Sequence, residues 1–306
     1  MQLTFPLPHI MRLKATMQPW EASVTGADQT RMVKRADALG YDMVQAPEHY
    51  LVPTEHVELS GPHYFSATAA QAYLAGATER IRVNSSVTLL PLQHPVVLAK
   101  SLSTIDWLSS GRLTVSFGVG WLKEEFDLLG VPFSQRGRMA DEYLAAIIEL
   151  WTKPEPEFEG RYVSFRNVAF EPKPVQQPHP PIWIGGDSDA ALRRAARFAS
   201  GWHPFLTKDE DIPARLEYIK SQPAYDGRPF EVMRGLAAGR IGAGHVVRDD
   251  PAGARPGMSA QEIIDRLGHL RELGVTISSV PIPSVDGPET YMEYAQWIIE
   301  EIKPKA

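Results

Sequence analysis

The feature that most constrains this chain is a count: along its 306 residues, strand-like and helix-like segments alternate through eight units. Apolar alternation or short apolar runs predict strands over 3–7, 41–46, 81–90, 113–119, 181–184, 201–205, 231–241 and 275–282. Amphipathic periodicity, with Gly and Pro as stop and start signals, predicts helices over 28–39, 65–77, 95–108, 123–129, 138–151, 188–199, 209–220, 260–273 and 290–302. Parallel strands need a crossover each time, and eight crossovers in one chain predict an α/β fold, a (β/α)8 TIM barrel with insertion segments at its C-terminal face. A doubly wound sheet fits less well, because it would want a G-x-G-x-x-G turn after the first strand, where LPLPHIMR stands. Apolar residues make up 43% of the chain, enough for one large core, so 1–306 reads as a single domain. A Pro-rich excursion spans 154–181, within which FEGRYVSFRNVAF alternates around a turn and predicts a small β excursion outside the main sheet.

Charge and residue usage narrow the function. The formal net charge is −6 with both signs spread along the chain, which argues against nucleic acid or an anionic membrane surface as a partner and leaves small molecules. With no cysteine there is no disulfide framework, thiolate nucleophile or Cys-bound metal, a pattern that fits a cytoplasmic protein. MQLTFPLPHI has no signal-peptide pattern. No run reaches about 20 apolar residues, the length a membrane span needs.

In a barrel the C-terminal strand ends carry function. Here they hold His9, Glu48-His49, Ser85-Ser86-Val87, Gly118 to Trp121, Gly185-Gly186-Asp187-Ser188 and Trp202-His203. The stretch RLTVSFGVGWLKEE is central: a buried strand reaches Gly118 and Gly120, where a missing Cβ lets either a ligand or a packed side chain approach the backbone. A metal hydrolase would show paired histidines on the first strand, whereas His9 stands alone, so no catalytic metal is expected. No G-x-S-x-G elbow or strand lysine offers a covalent nucleophile. Glycines, aromatics, small hydroxyls and a histidine suit a flat redox cofactor. IWIGGDSDAALRRAARFASGW is the candidate phosphate site, with Asp187 or Ser188 capping a helix whose N-terminal N–H groups face the mouth. The Asp187 carboxylate would repel phosphate unless it turns away.

The stretch SVTLLPLQHPVVLAKSLSTIDWLSSGRLTVSFGVGWLKEEFDLLGVPFSQRGRMADEYLAAIIELW, followed by FEGRYVSF and PKPVQQPHPPIWIGGDSDAALRRAARFASGW, resembles the luciferase-like family of flavin- and deazaflavin-dependent oxidoreductases over about 3–240. The resemblance implies a TIM barrel with coenzyme F420 or FMN across its mouth. The form GVGWLKEEFDLLGVPF is most similar to the deazaflavin-using branch. It implies His49, in PEHY, as the acid/base near the reactive ring, with Glu48 at the ring's polar edge. It implies further that Ser85, Ser86 and Val87 form a third-strand bulge with a non-prolyl cis peptide beneath the ring, and that Gly118, Gly120 and Trp121 lie beside it, Trp121 reading equally as a core anchor. Lys123 stands where sugar-phosphate oxidising members carry a carboxylate, which argues against that substrate. Glu125 is read as a cofactor contact or a solvated helix cap, and Arg136 and Arg138 as contacts to an anionic F420 tail or a solvated helix start. Trp202 and His203 are expected on the substrate side, with a buried Trp common to any barrel as the alternative for Trp202.

The expected activity is F420-dependent hydride transfer to or from a small organic substrate. One alternative is an FMN-dependent two-component monooxygenase served by a separate flavin reductase, and another is a non-catalytic flavin-binding barrel. The resemblance implies a homodimer, for which Trp107 is an interface candidate as well as a core candidate. The substrate would be chosen by the polar loops 47–63 and 242–257, which carry no motif, the second read as a mobile Gly/Pro loop.

Overall fold

A computed structural model describes residues 1–13, 16–236, 240–242, 245–247 and 257–306. The chain runs β1 (Gln2–Phe5), α1 (Gly26–Leu39), β2 (Met43–Ala46), α2 (Thr54–Ser60), α3 (Ala67–Ala77), β3 (Arg82–Ser85), β4 (Thr88–Leu89), α4 (Pro95–Leu108), β5 (Val115–Gly118), α5 (Lys123–Leu128) and α6 (Arg136–Thr152). It continues through the hairpin β6 (Phe158–Glu159) and β7 (Ser164–Phe165) to β8 (Ile182–Gly185), α7 (Asp189–Phe198), β9 (Gly201–His203), α8 (Ile212–Lys220) and β10 (Glu231–Val232). The hairpin β11 (Arg240–Gly242) and β12 (His245–Val247) precedes α9 (Ala260–Glu272), β13 (Ile277–Ser279) and α10 (Pro288–Trp297).

Two parallel sheets, β13-β1-β2-β3 and β10-β9-β8-β5-β4, build the core. Isolated parallel bridges lie where their edges meet, Val83 with Leu113 and Met233 with Ile277. There Val83 donates its N–H to the Arg112 carbonyl at 3.0 Å and Arg234 donates to the Ile277 carbonyl at 3.0 Å. The architecture is an α/β fold with parallel sheets and a TIM-barrel-like core, wrapped by helices whose ends follow local chemistry. Thr25 and Asp28 form a capping box at the start of α1, and Gly40 ends it with φ 94°. Pro95 opens α4 at a position where its missing N–H costs nothing.

Strand alternation sorts side chains into two sets. Leu3, Phe5, Val44, Val83, Val115, Phe117, Ile184 and Trp202 join the helices in the main apolar cluster, each buried side chain contributing about 1.5–3 kcal/mol. The alternate residues face inward in layers. At the bottom Arg82 pairs bidentately with Glu231 (2.9 and 3.0 Å) and bonds Thr114. In the middle Met43, Trp183, Met233 and Ile277 form a separate cluster, beside which Asn84 donates to Ser116 Oγ at 3.0 Å. A Cβ at Gly201 would lie 2.3 Å from the Trp183 indole, so that layer requires glycine. The top layer carries Gln45, Gly118, Gly185 and His203.

Several expectations are corrected. The segment 47–63 contains α2 rather than loop throughout. The strand expected over 81–90 is two strands, β3 and β4, parted at the bulge the resemblance implied by a cis peptide bond between Ser86 and Val87, as that resemblance also implied. The strand expected over 231–241 stops at Val232 before the β11–β12 hairpin, and much of the 242–257 loop lies outside the described residues. The β6–β7 hairpin sits in the excursion as expected, and Trp107 is 58% exposed at the end of α4 rather than in the core. No described helix is long and apolar enough to cross a membrane.

Candidate functional site

The strand ends converge on a histidine held by a distant carboxylate. His49 follows β2, and its Nδ1 lies 2.9 Å from Glu125 Oε2. The carboxylate can only accept, so Nδ1 carries the proton and Nε2 is the nitrogen left for other chemistry. Glu125 is fully buried, and its other oxygen accepts the Tyr50 N–H at 2.7 Å and the Leu51 N–H at 3.4 Å. Neither reading made from the sequence covered this role: Glu125 is no solvated cap, and these contacts are with the loop after β2. Helical spacing carried the signal, because Glu125 lies three residues after Leu122, itself 2% exposed, and so shares that buried face of α5.

Glu48 points elsewhere. Its buried carboxylate accepts from Ala67 N–H (3.1 Å), Leu89 N–H (2.9 Å) and Gln93 Nε2 (3.1 Å), tying α3 and β4 to the end of β2. Burial holds its pKa above the usual carboxylate value, with the Glu125 charge pushing the same way and the three donors pulling back.

Aromatic rings enclose His49. Tyr64 packs edge-on at 4.7 Å between centroids and Trp121 at 6.1 Å, with His56 a further 5.8 Å from Trp121. Trp121 is 39% exposed, so it belongs to the mouth and not to the core. Tyr64 was missed because a loop residue carries no periodicity, and His56 because α2 is too short to show a period. Glu55, His56 and Glu124 bring potential ligand atoms within 4.8 Å of one another, the one such set among the described residues.

Between Gly118 and Gly185 the space a Cβ would take is filled by Val87, whose methyl carbons would lie 2.4 and 2.8 Å away. Gly120, at φ 76°, makes room for Phe126 at 2.8 Å. These glycines therefore admit side chains of the protein. Ser85 is buried and donates its hydroxyl to the Ser116 carbonyl at 3.0 Å, while Ser86 bonds through its N–H to the Ala46 carbonyl at 2.8 Å.

At the start of α7, Ser188 is the N-cap and accepts the Ala191 N–H at 3.2 Å, and Gly186 has φ 124°. Asp187 turns away from the helix: its carboxylate accepts the N–H groups of Phe205, Leu206 and Thr207 at 2.8–3.0 Å and the Thr207 hydroxyl at 2.6 Å. Arg136 is drawn onto the Gly120 and Phe133 carbonyls (3.2 and 2.9 Å), and Arg138 is exposed. Trp202 is not on the substrate side, being fully buried with its indole N–H on the Gly186 carbonyl at 2.8 Å. Lys123 is exposed and pairs with Asp127.

His9, at φ 64°, donates from Nδ1 to the Glu21 carbonyl at 2.6 Å beside the His63 ring. Two buried polar atoms near the top of the core, Gln45 Nε2 and His203 Nδ1, have no hydrogen-bond partner among the described residues. Burial and the neighbouring Arg234 lower the His203 pKa to about 4, so its ring is neutral at pH 7. Buried polar atoms are nearly always paired. Arg12 Nε, Gln71 Oε1 and Thr88 Oγ1 are also without a partner among the described residues, but Gln45 and His203 are the two that sit at strand positions alternating with residues of the main apolar cluster.

The family model described as luciferase-like monooxygenase matches residues 11–274. An uncharacterized protein of Mycobacterium tuberculosis strain H37Rv is 31% identical over 291 residues, covering 89% of this chain and 93% of its own. The FMNH2-dependent dimethylsulfone monooxygenase of Pseudomonas putida is 34% identical over 170 residues, 55% of this chain and 46% of that protein. Among solved structures, the monooxygenase RslO1 from Streptomyces bottropensis superposes with a TM-score of 0.74 at 20% identity, covering 99% of both chains. An F420-dependent secondary alcohol dehydrogenase also gives 0.74, at 14% identity, covering 99% of this chain and 98% of its own. Equal scores mean that the fold is common to a monooxygenase and to an F420-dependent dehydrogenase.

Proposed function

The chain belongs to the luciferase-like monooxygenase family, and from that premise we propose that it is a monooxygenase using reduced FMN supplied by a separate flavin reductase. Membership makes it a flavin- or deazaflavin-dependent redox enzyme. The choice of FMN is supported by the 34% identity to an FMNH2-dependent enzyme over about half the chain.

The observation that carries the reading of a bound flavin-type ring, FMN or deazaflavin alike, is the pair of orphaned atoms. In the order β1, β2, β3, β5, β8, β9, β10, β13 the strands β2 and β9 stand opposite each other, and we read that ring as closed. Gln45 Nε2 and His203 Nδ1 then face one another across its top layer, a donor and an imidazole nitrogen suited to the carbonyl and N–H edge of a flavin. Bound there, reduced FMN supplies the electrons that activate oxygen. The chain's own part is positional. Glu125 fixes the His49 tautomer and turns Nε2 toward the substrate, where it gives or takes a proton. Tyr64 and Trp121 shield that nitrogen from bulk water.

A second reading, hydride transfer with coenzyme F420, draws on the GVGWLKEEFDLLGVPF turn, which resembles the deazaflavin-using branch. Anaerobic fluorescence titrations with reduced FMN and reduced F420, followed by oxygen uptake with dimethylsulfone as the first substrate tried, separate the two. The expected result is tighter FMN binding and oxygen uptake coupled to product. His49→Ala should lower turnover by about 10²–10⁴-fold while leaving FMN affinity within a few-fold. Tight F420 binding without oxygen uptake moves the assignment to hydride transfer. Binding without turnover on any substrate favours a flavin-binding barrel, and binding of neither cofactor overturns the assignment.

A further inference from the structure

A cleft of about 550 Å³ opens between α1 and α3, outside the barrel-like core, lined among others by His9, Gln29, Tyr64, Phe65, Ala69 and Tyr73. Its polar groups have defined roles. His9 spends Nδ1–H on the Glu21 carbonyl (2.6 Å), so in the neutral ring Nε2 is an acceptor, and it has no partner among the described residues. The ring is fixed in advance. His9 N–H donates to Glu21 Oε2 at 3.0 Å, and the His9 carbonyl accepts from His63 Nε2 at 3.1 Å, which together hold a backbone at φ 64° that non-glycine residues rarely adopt. His63 accepts at Nδ1 from Arg12 (3.3 Å), and burial with the Arg12 charge lowers its pKa. Gln29 donates Nε2 to the Pro8 carbonyl at 3.1 Å, which leaves its amide oxygen as another acceptor.

The lining thus offers acceptors between aromatic and aliphatic walls, and no Lys, Arg, Asp or Glu is in it. An ionised ligand would find no counter-charge there, whereas a neutral ring with a hydroxyl donor satisfies the His9 acceptor and buries its faces against Phe65 and Tyr73. We propose that this cleft is a second ligand site, for neutral hydroxyarenes, distinct from the barrel mouth and divided from it by the Tyr64 ring. Tyr64 touches both places, lining the cleft and packing edge-on to His49 at 4.7 Å.

The test uses 2-naphthol as the probe, followed by its own fluorescence on cofactor-free full-length protein. Wild type should bind one equivalent. Ala69 is an exposed residue of α3 that lines the cleft, so Ala69→Trp fills the cleft without entering the core and should weaken binding at least tenfold. His9→Asn keeps a residue that tolerates positive φ, removes the Nε2 acceptor, and should weaken binding about fivefold to tenfold. Thermal unfolding and far-UV circular dichroism of both variants report the fold, and His9→Asn carries the test if Ala69→Trp is unfolded. Naphthalene should bind at least fivefold more weakly than naphthol. Unchanged affinity in folded Ala69→Trp, equal binding of naphthalene, or stoichiometric displacement of naphthol by FMN each overturns the proposal. The Ala69→Trp and naphthalene arms need no cofactor, so their outcome is independent of the assignment of FMN.

Discussion

At the scale of single residues, the tightest constraint on the site is Val87 gripped by two glycines. A Cβ on Gly118 would stand 2.4 Å from Val87 Cγ2, so Gly118→Ala should destabilise the protein by about 1–3 kcal/mol through overpacking. Val87→Ala in the same chain should restore most of that loss, giving a strongly non-additive cycle in urea unfolding. Additive losses would show that the glycine serves something other than Val87. Legibility varies residue by residue. His49 was legible because it ends an apolar strand in a loop of polar residues. Its partner was not, because Glu125 lies 76 residues away and no local pattern links the two. His203 was legible only as a strand-end position and Gln45 not at all, since being left without a partner is a property of the assembled core.

At the scale of elements, carboxylates tie segments that share no sequence signal. Asp106, fully buried in α4, accepts from Val175 N–H (2.7 Å), Gln176 N–H (3.0 Å) and Gln176 Nε2 (2.7 Å), and so anchors the end of the 154–181 excursion. Asp106→Ala leaves three donors unpaired and should cost about 3 kcal/mol. Limited proteolysis should then cut first between 154 and 181, and a cleavage pattern identical to wild type would refute the anchoring role. Helices with caps were legible almost to the residue: α4 spans Pro95–Leu108 as expected, because Pro at its start and Gly111 beyond its end punctuate it. The break between β3 and β4 was legible only through the family resemblance, since Ser86 and Val87 both continue a strand-like run and the isomer of their peptide bond has no composition signal. Short α2 was hidden by a Pro- and His-bearing segment too brief to show a period.

At the scale of the whole molecule, proton linkage sets the response to acid. His203 has a folded pKa of about 4 against an ordinary value near 6.5. Between those values the unfolded chain binds a proton that the folded chain refuses, so stability falls as pH falls, with a slope approaching about 1.4 kcal/mol per pH unit. Burial lowers the pKa of His63 and His179 as well, adding in the same direction. Glu48 opposes them: its raised pKa keeps a proton on the folded form that the unfolded form has shed, so its contribution grows as pH falls through that window. His203→Asn removes the largest acid-sensitive term. The stability difference between wild type and variant, from urea midpoints at pH 7, 6 and 5, should therefore move against wild type on acidification, and a constant difference would refute the linkage. The α/β architecture was legible at this scale because the alternation of elements survives small errors at their ends.

The floor of the core has a consequence for traffic. Arg82 and Glu231 interlock beneath Trp183, whose indole N–H also bonds Glu231 at 3.2 Å, and together they plug the lower end. With the ring closed as proposed, a plugged base leaves one doorway. Two guests sharing the interior would then arrive deeper one first and depart outer one first, and their exchange would be a stack with a fixed order rather than a flow from one side to the other.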